Sequence, residues 1–304
     1  MNQSENLLTQ IEKRNYKAIA RAISLVENNS EIGYQLLNQL KINYNIPVIG
    51  FTGPPGAGKS SLVNSLLKKL SALGQKIAVI AVDPTSPFNF GSLLGDRIRL
   101  SEHFNDENIF IRSLATRGAL GGLTEKIIEV TDLLRSANFD YIIIETVGVG
   151  QSEVEIAGLA DTTVVVLVPE AGDEVQTMKA GLMEIADIFV VNKADRADAD
   201  RFVKNLEILV HEKPASSWQI PVIKTIAIKN EGVDDLILTI KKHFSTNNIN
   251  DRKNLLMTEK AMRLIINHKI KHIDRIQLLN DIKKEMQNNN FNLYQFVLKK
   301  VKEL

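Results

Sequence analysis

Through the middle of the chain, short apolar runs alternate with longer stretches in which apolar positions recur at helical spacing. The runs cover residues 48–52, 77–83, 109–112, 141–145, 163–168, 188–192 and 222–225, and most of their positions are Val, Ile, Ala or Phe. A strand with one solvated face alternates apolar and polar residues. Near-continuous apolar strands are those covered on both faces, as in parallel sheets. The stretches between them, 59–73, 91–104, 124–135, 152–159, 174–185, 199–210 and 233–243, have the length and spacing of amphipathic helices. Strand and helix in strict alternation predict an α/β fold with a doubly wound, mostly parallel sheet.

Both flanks lack strand signals. Leu8, Ile11, Ala18, Ile19, Ala22, Ile23 and Val26 predict a helix over 6–27, and Ser30 is placed to cap a second helix running to Leu40. After His243, residues 245–251 are polar and turn-prone, and 255–271, 274–287 and 291–304 are helical in spacing. The expected organisation is a helical arm over 1–45, a nucleotide domain over 46–244 and a helical tail over 245–304. In the tail, Leu255, Leu264, Ile265, Ile276, Leu279, Ile282, Phe296 and Val297 exceed what short peripheral helices can bury on a sheet already covered by its own helices. A homodimer built on the tail is the expectation.

Composition narrows the chemistry. With 304 residues and 44% apolar content the chain can bury a large core. Lys plus Arg is 37 and Asp plus Glu is 36, a net of +1, so no chain-wide field draws in nucleic acid or an anionic membrane, and any bound anion needs a local site. The absence of Cys excludes disulfides, thiolate metal sites and a Cys nucleophile. The polar start and the lack of an apolar run of about 18 residues predict a cytoplasmic protein with no membrane span.

The local site is the run Gly53, Pro54, Pro55, Gly56, Ala57, Gly58, Lys59, Ser60, which fits G-x-x-x-x-G-K-[ST] between an apolar strand and a helix opening at Ser61. Glycines let backbone N–H groups converge on phosphate oxygens at a helix N-terminus. Lys59 is the group to bridge β- and γ-phosphates, and the Ser60 hydroxyl is a Mg²⁺ ligand. Downstream, Asn192, Lys193, Ala194 and Asp195 follow a strand and match N-K-x-D. The Asp195 carboxylate can accept from two guanine donors that adenine lacks, Lys193 can lay its methylenes along the base, and Asn192 can bridge loops. After the last strand, Ile226 stands where a Ser would be expected, with the N–H groups of Ala227 and Ile228 as donors to the guanine O6.

Glu145 and Gly148 have the spacing of a D-x-x-G switch with Glu replacing Asp, which predicts a Mg²⁺ carboxylate and a γ-phosphate-sensing amide. Val149 occupies the place of a water-orienting Gln, so Gln151 is the nearest substitute and intrinsic hydrolysis should be slow. Asp83, ahead of Pro84, is a second metal or water-positioning candidate, and Asp96 is a third, or else a helix-surface residue. Arg112, Thr116, Arg117 and Gly118 are expected in a glycine-rich loop able to close over the nucleotide, or simply mobile. His268 and His272 share a helix face without an acidic partner and read as solvated, and Trp218 between Pro214 and Pro221 reads as a packing anchor.

These pieces together resemble the MeaB/ArgK family of methylmalonyl-CoA mutase-associated GTPases. The resemblance is carried by G-P-P-G-A-G-K-S at 53–60, V-D-P-T-S-P at 82–87, G-D-R-I-R at 95–99, T-R-G-A-L-G-G-L at 116–123, E-T-V-G-V-G-Q-S-E at 145–153, A-G-D-E-V-Q-T-M-K-A-G at 171–181 and E-I-A-D-I-F-V-V-N-K-A-D at 184–195. It implies a homodimeric GTPase that takes GTP or GDP with Mg²⁺, docks on an adenosylcobalamin-dependent acyl-CoA mutase and gates its cofactor loading, with 116–123, 145–153 and 171–181 as nucleotide-responsive switches. A metallocentre-insertion GTPase and an ATP-dependent transport-associated kinase are the other function classes. The first should carry a His- or Cys-rich motif, and the second should lack N-K-x-D.

Overall fold

A computed structural model of the chain describes residues 3–83, 100–115, 126–146, 152–171, 181–211, 218–246, 251–269, 273–286 and 291–303. It divides into two compact units, 1–253 and 254–304.

The first unit is built on a seven-stranded sheet of order β3-β2-β4-β1-β5-β6-β7. Its strands are β1 (Val48–Thr52), β2 (Ile77–Asp83), β3 (Ile109–Ala115), β4 (Tyr141–Glu145), β5 (Thr162–Leu167), β6 (Ile188–Val191) and β7 (Val222–Lys224). Every pairing is parallel. Parallel neighbours need crossovers, and the helices that supply them, such as α5 (Ile127–Arg135) between β3 and β4, cover both faces.

Successive side chains of β5 and β6 feed opposite layers. Val164, Val166, Ile188 and Val190 join a core with α4 (Lys59–Ala72) and α9 (Val233–Ser245), whereas Val165, Leu167, Phe189 and Val191 join one with α6 (Ser152–Leu159), α7 (Leu182–Ile185) and α8 (Ala199–His211). Two-sided burial is why β6 is apolar throughout and β5 is apolar after its two opening, buried threonines. The sheet also sets the geometry of the site: β4 lies between β1 and β2, so the C-terminal end of β4 is hydrogen-bonded beside the strand that feeds the glycine loop.

The expected single helix over 6–27 is two helices, α1 (Gln3–Glu12) and α2 (Tyr16–Glu27). Arg14 takes a left-handed φ of 57° between them, and Asn15 caps α2 by accepting from the Ala18 N–H. The break is held from outside: Arg14 donates to the Asn138 carbonyl at 3.0 Å, and the Asn138 amide donates to the Glu12 carbonyl at 2.9 Å. The apolar stripe carries on through the break, so periodicity alone gives no sign of it. Ser30 caps α3 (Glu31–Gln39) through the Gly33 N–H.

Arg112 is corrected in the same region. It lies within β3, three residues before the strand ends at Ala115, and not in the following loop. Its guanidinium donates to Glu27 at 2.8 Å and Ser24 at 3.1 Å on α2, so it fastens the arm to the sheet. Beside it, Tyr16 packs on Phe110 and Phe139 and donates to the Glu107 carbonyl.

The second unit contains most of α10 (Asp251–Lys269) together with α11 (Arg275–Glu285) and α12 (Leu293–Glu303). Phe296 is buried within it, but Leu255, Leu264, Ile265, Ile276, Leu279 and Val297 are exposed. No described helix is long and apolar enough to cross a membrane.

Candidate functional site

The glycine loop turns from β1 into α4, and its backbone explains its composition. Gly53 has φ of 133°, and a Cβ there would sit 2.1 Å from the Val166 carbonyl oxygen on β5. Gly58 is left-handed at φ 85° immediately before α4 and lies against the Asn192 amide. Neither position admits another residue without strain. The Lys59 ammonium, although buried, donates to the Gly53 carbonyl at 2.8 Å and the Pro54 carbonyl at 3.0 Å. Lys193 donates to the Gly56 carbonyl at 2.8 Å. Two cations therefore hold the loop's carbonyls while α4 presents its N-terminal turn, the end of a helix that leaves N–H groups without intrahelical acceptors and carries partial positive charge.

Ser60 and Glu145 meet across the sheet: the Ser60 hydroxyl donates to Glu145 Oε1 at 2.5 Å, and Glu145 is buried. The contact follows from strand order, because Phe51 on β1 is in register with Glu145 on β4. One residue further on, Thr146 donates to Thr52 at 3.1 Å and stitches the two strand ends together. This pair was not foreseen from the sequence, since nothing local marks two threonines 94 residues apart as neighbours. A hydroxyl and a carboxylate side by side are hard oxygen donors, the set Mg²⁺ prefers.

Asn192, the first residue of N-K-A-D, connects the glycine loop to the segment that follows β7. It is buried beyond β6, its Nδ2 donates to the Ala57 carbonyl at 2.9 Å, and its Oδ1 accepts from Thr225 Oγ1 and the Ala227 N–H, both at 3.1 Å. The Ala227 N–H, one of the two donors expected for the guanine O6, bonds Asn192 in this structure. Ile228, the other expected donor, lies at the exposed surface beside it. The segment is pinned further by Ser65 donating to the Ala227 carbonyl at 2.6 Å and by the Ile226 bridge to Glu231. Thr225 is the second unforeseen participant; its only sequence signal is its place just after a strand.

Lys193 takes a left-handed φ of 57°, and the Ala194 N–H bonds the Thr225 carbonyl at 3.1 Å. Asp195 is exposed, and no side chain among the described residues bonds its carboxylate. Pro55, Gly56 and Ser61 also lie along the loop and first turn with outward faces. Asp83 ends β2, but its side chain, like Asp96, Gly148, Gln151, Thr116, Arg117 and Gly118, lies outside the described residues.

Three comparisons bear on this geometry. Over residues 19–279 the chain matches the family described as methylmalonyl-CoA mutase-associated GTPase MeaB. It is 48% identical over 244 residues to a Pyrococcus abyssi protein carrying a provisional GTPase name, covering 79% of this chain and 75% of that one. It is 36% identical over 229 residues to GTPase ArgK of Escherichia coli, covering 72% and 69%, and 35% identical over 260 residues to the mouse mitochondrial methylmalonic aciduria type A homolog, covering 78% and 62%. Among solved structures, a LAO/AO transport system kinase superposes with a TM-score of 0.70 at 25% identity, covering 100% of this chain and 98% of the other. With the phosphate loop, the parallel sheet and the base motif in one frame, and with relatives over three quarters of its length, the chain belongs to the MeaB family of P-loop GTPases.

Proposed function

We propose that this protein binds GTP between the 53–60 loop and the 192–195 motif, hydrolyses it with Mg²⁺, and uses the cycle as a homodimer to assist an adenosylcobalamin-dependent acyl-CoA mutase in loading and keeping its cofactor. The observation that carries the nucleotide half is the Asn192 junction, where one buried side chain bonds the phosphate loop and the base segment together. The distance between the two ends of a nucleotide is then fixed by hydrogen bonds in place before it arrives. The mutase half rests on family membership.

In this reading Lys59 exchanges the Gly53 and Pro54 carbonyls for β- and γ-phosphate oxygens, a move of one ammonium from neutral acceptors to charged ones. The N-terminal turn of α4, from Lys59 through Ser61, faces the phosphates. Asp195 pairs with the guanine donors, Lys193 lies along the base, and the Ile228 N–H meets the carbonyl oxygen. Ser60 and Glu145 are the residues that would hold Mg²⁺, and their mutual hydrogen bond keeps both oxygens at one place. When bound, Mg²⁺ would supply charge neutralisation at the phosphates. Asp83, Gly148 and Gln151 are proposed to position the attacking water and sense the γ-phosphate. With Val149 next to Gly148, orientation of that water is left to a partner. The exposed apolar residues of α10, α11 and α12 support the homodimer. Between the other classes, a nickel carrier has little to work with here: the chain has no Cys and five His.

The test is steady-state GTP hydrolysis with and without purified mutase from the same organism, with ATP as the control. Partner-stimulated GTPases gain roughly 10³–10⁵ in rate when a transition-state group is supplied. A rise of at least about ten-fold, confined to GTP, is expected. An unstimulated rate together with equal mutase affinity in the GDP and GTP-analogue states would reject the mutase role.

A further inference from the structure

We infer that the outer edge of β7 docks an extended, basic segment of a partner protein, and that its occupation slows nucleotide release. The second half rests on the guanine-nucleotide reading above.

Among the described residues β7 is the end strand of the sheet and pairs with β6 alone. The Phe189 N–H bonds the Pro221 carbonyl and the Thr225 N–H bonds the Val191 carbonyl, so odd-numbered residues of this strand face β6. Backbone groups alternate direction along a strand, which turns those of Val222 and Lys224 outward. The Lys224 carbonyl is covered by Gly232, where a Cβ would come within 2.1 Å. The Val222 N–H and C=O and the Lys224 N–H take no backbone partner among the described residues. An edge left open in this way is a template for one more strand.

The edge is recessed. A groove of about 540 Å³ runs along it, lined by Val222, Lys224, Ile226, Glu231 and Asp235, and reaches Ala194 of the base motif. Its rim selects the sign of the occupant. Lys224 is already paired with Asp200, and Asp234 with Lys69, whereas the exposed Glu231 and Asp235 carboxylates have no ion pair among the described residues. Asp235 lies in the first turn of α9, and Glu231 directly precedes its N-cap, Gly232. Two carboxylates without an ion-pair partner, beside strand donors and acceptors without a backbone partner among the described residues, fit a segment that brings backbone groups and Lys or Arg side chains together.

Coupling to the nucleotide follows from chain continuity. Lys224 is followed directly by Thr225, which bonds Asn192, then by Ile226, whose N–H bonds the Glu231 carbonyl, and Ala227, whose N–H bonds Asn192. A strand added at Val222 and Lys224 stiffens the segment that must yield for the base to leave, which raises the barrier to release.

The full-length protein is tested with the blocked peptide Lys-Val-Lys-Val-Lys and with its Glu-for-Lys counterpart. Hydrogen exchange at the Val222 and Lys224 amides reports docking, and release of a fluorescent GDP analogue reports the coupling. The basic peptide should slow exchange at both amides by about ten-fold at saturation and slow GDP release by about three-fold. E231Q with D235N should weaken it by about five-fold, as two exposed ion pairs predict. Val222→Pro, which removes an outward N–H and leaves the β6 ladder intact, should remove amide protection at Lys224. Equal binding of the acidic peptide, or protection elsewhere but not at β7, overturns the docking site. Protection at β7 with unchanged release overturns the coupling. A chain that fails to bind GDP sinks the nucleotide reading, while the amides still report docking by themselves.

Discussion

Replacing Asn192 with alanine should cost fold stability before it costs anything else. The side chain is buried and makes three hydrogen bonds, to the Ala57 carbonyl, Thr225 Oγ1 and the Ala227 N–H. Each is worth about 1 kcal/mol net, so their sum is about 3 kcal/mol, and the unsatisfied buried Ala227 N–H pushes the total upward. For a chain of this size, with roughly 2–4 °C of melting temperature per kcal/mol, the apo protein should melt about 6–12 °C lower. GDP affinity falls in turn, because the phosphate loop and the base segment lose their common anchor. Asn192→Asp separates the contributions: it keeps both bonds accepted by Oδ1 and exchanges the donor to Ala57 for a carboxylate oxygen, so the loop end is disrupted and the Thr225–Ala227 end is kept. The measurements are thermal unfolding without nucleotide and calorimetric GDP titration on the same preparations. If Asn192→Ala melts within about 1 °C of the unmodified chain while GDP binding collapses, Asn192 acts on the nucleotide directly and the junction argument fails.

Asp195→Asn makes the opposite prediction. Its carboxylate is exposed with no side-chain partner among the described residues, so melting should be unchanged while GTP affinity drops by one to two decades, the equivalent of roughly 1.5–3 kcal/mol for a lost charge-assisted pair, and xanthosine triphosphate gains. An equal loss for ATP and GTP would deny its role in choosing the base. His243 supplies a pH dependence: it is buried with Nδ1 2.8 Å from Thr162 Oγ1 and the Trp218 ring edge-on, and burial holds its pKa below the ordinary value against the upward pull of Asp187 and Asp161. A folded pKa below the unfolded one means that the unfolded chain takes up the proton first. The stabilisation is complete above about pH 6.5 and is lost as pH falls from there through the folded value. His103, lowered by burial as well, works in the same direction. Melting temperature should therefore drop more steeply from pH 7.5 to 5.5 in the unmodified chain than in His243→Gln, and parallel slopes would exonerate the histidine.

What the sequence determined by itself was local. Seven largely apolar runs announce seven strands because burial on both faces leaves few polar positions, most of them at strand ends. The glycine loop and N-K-A-D were legible because their chemistry is written in consecutive residues. Ser30 was recognisable as a cap for the same reason. The tertiary structure decided whatever depends on residues far apart in the chain. Insertion of β4 between β1 and β2 brought Glu145 to Ser60 across 85 positions, and packing at the sheet's end let Asn192 reach Ala57 across 135. The break at Arg14 was invisible because its cause is Asn138, 124 residues away, and Arg112 left its expected loop because β3 runs on to meet Glu27 of the arm. The Asn192–Ala227 bond was equally unreadable, because a buried amide finds its acceptor across 35 positions of chain. Periodicity and motif spacing encode which elements form; which side chains then meet is set by strand order and by the need of each buried polar group for a partner.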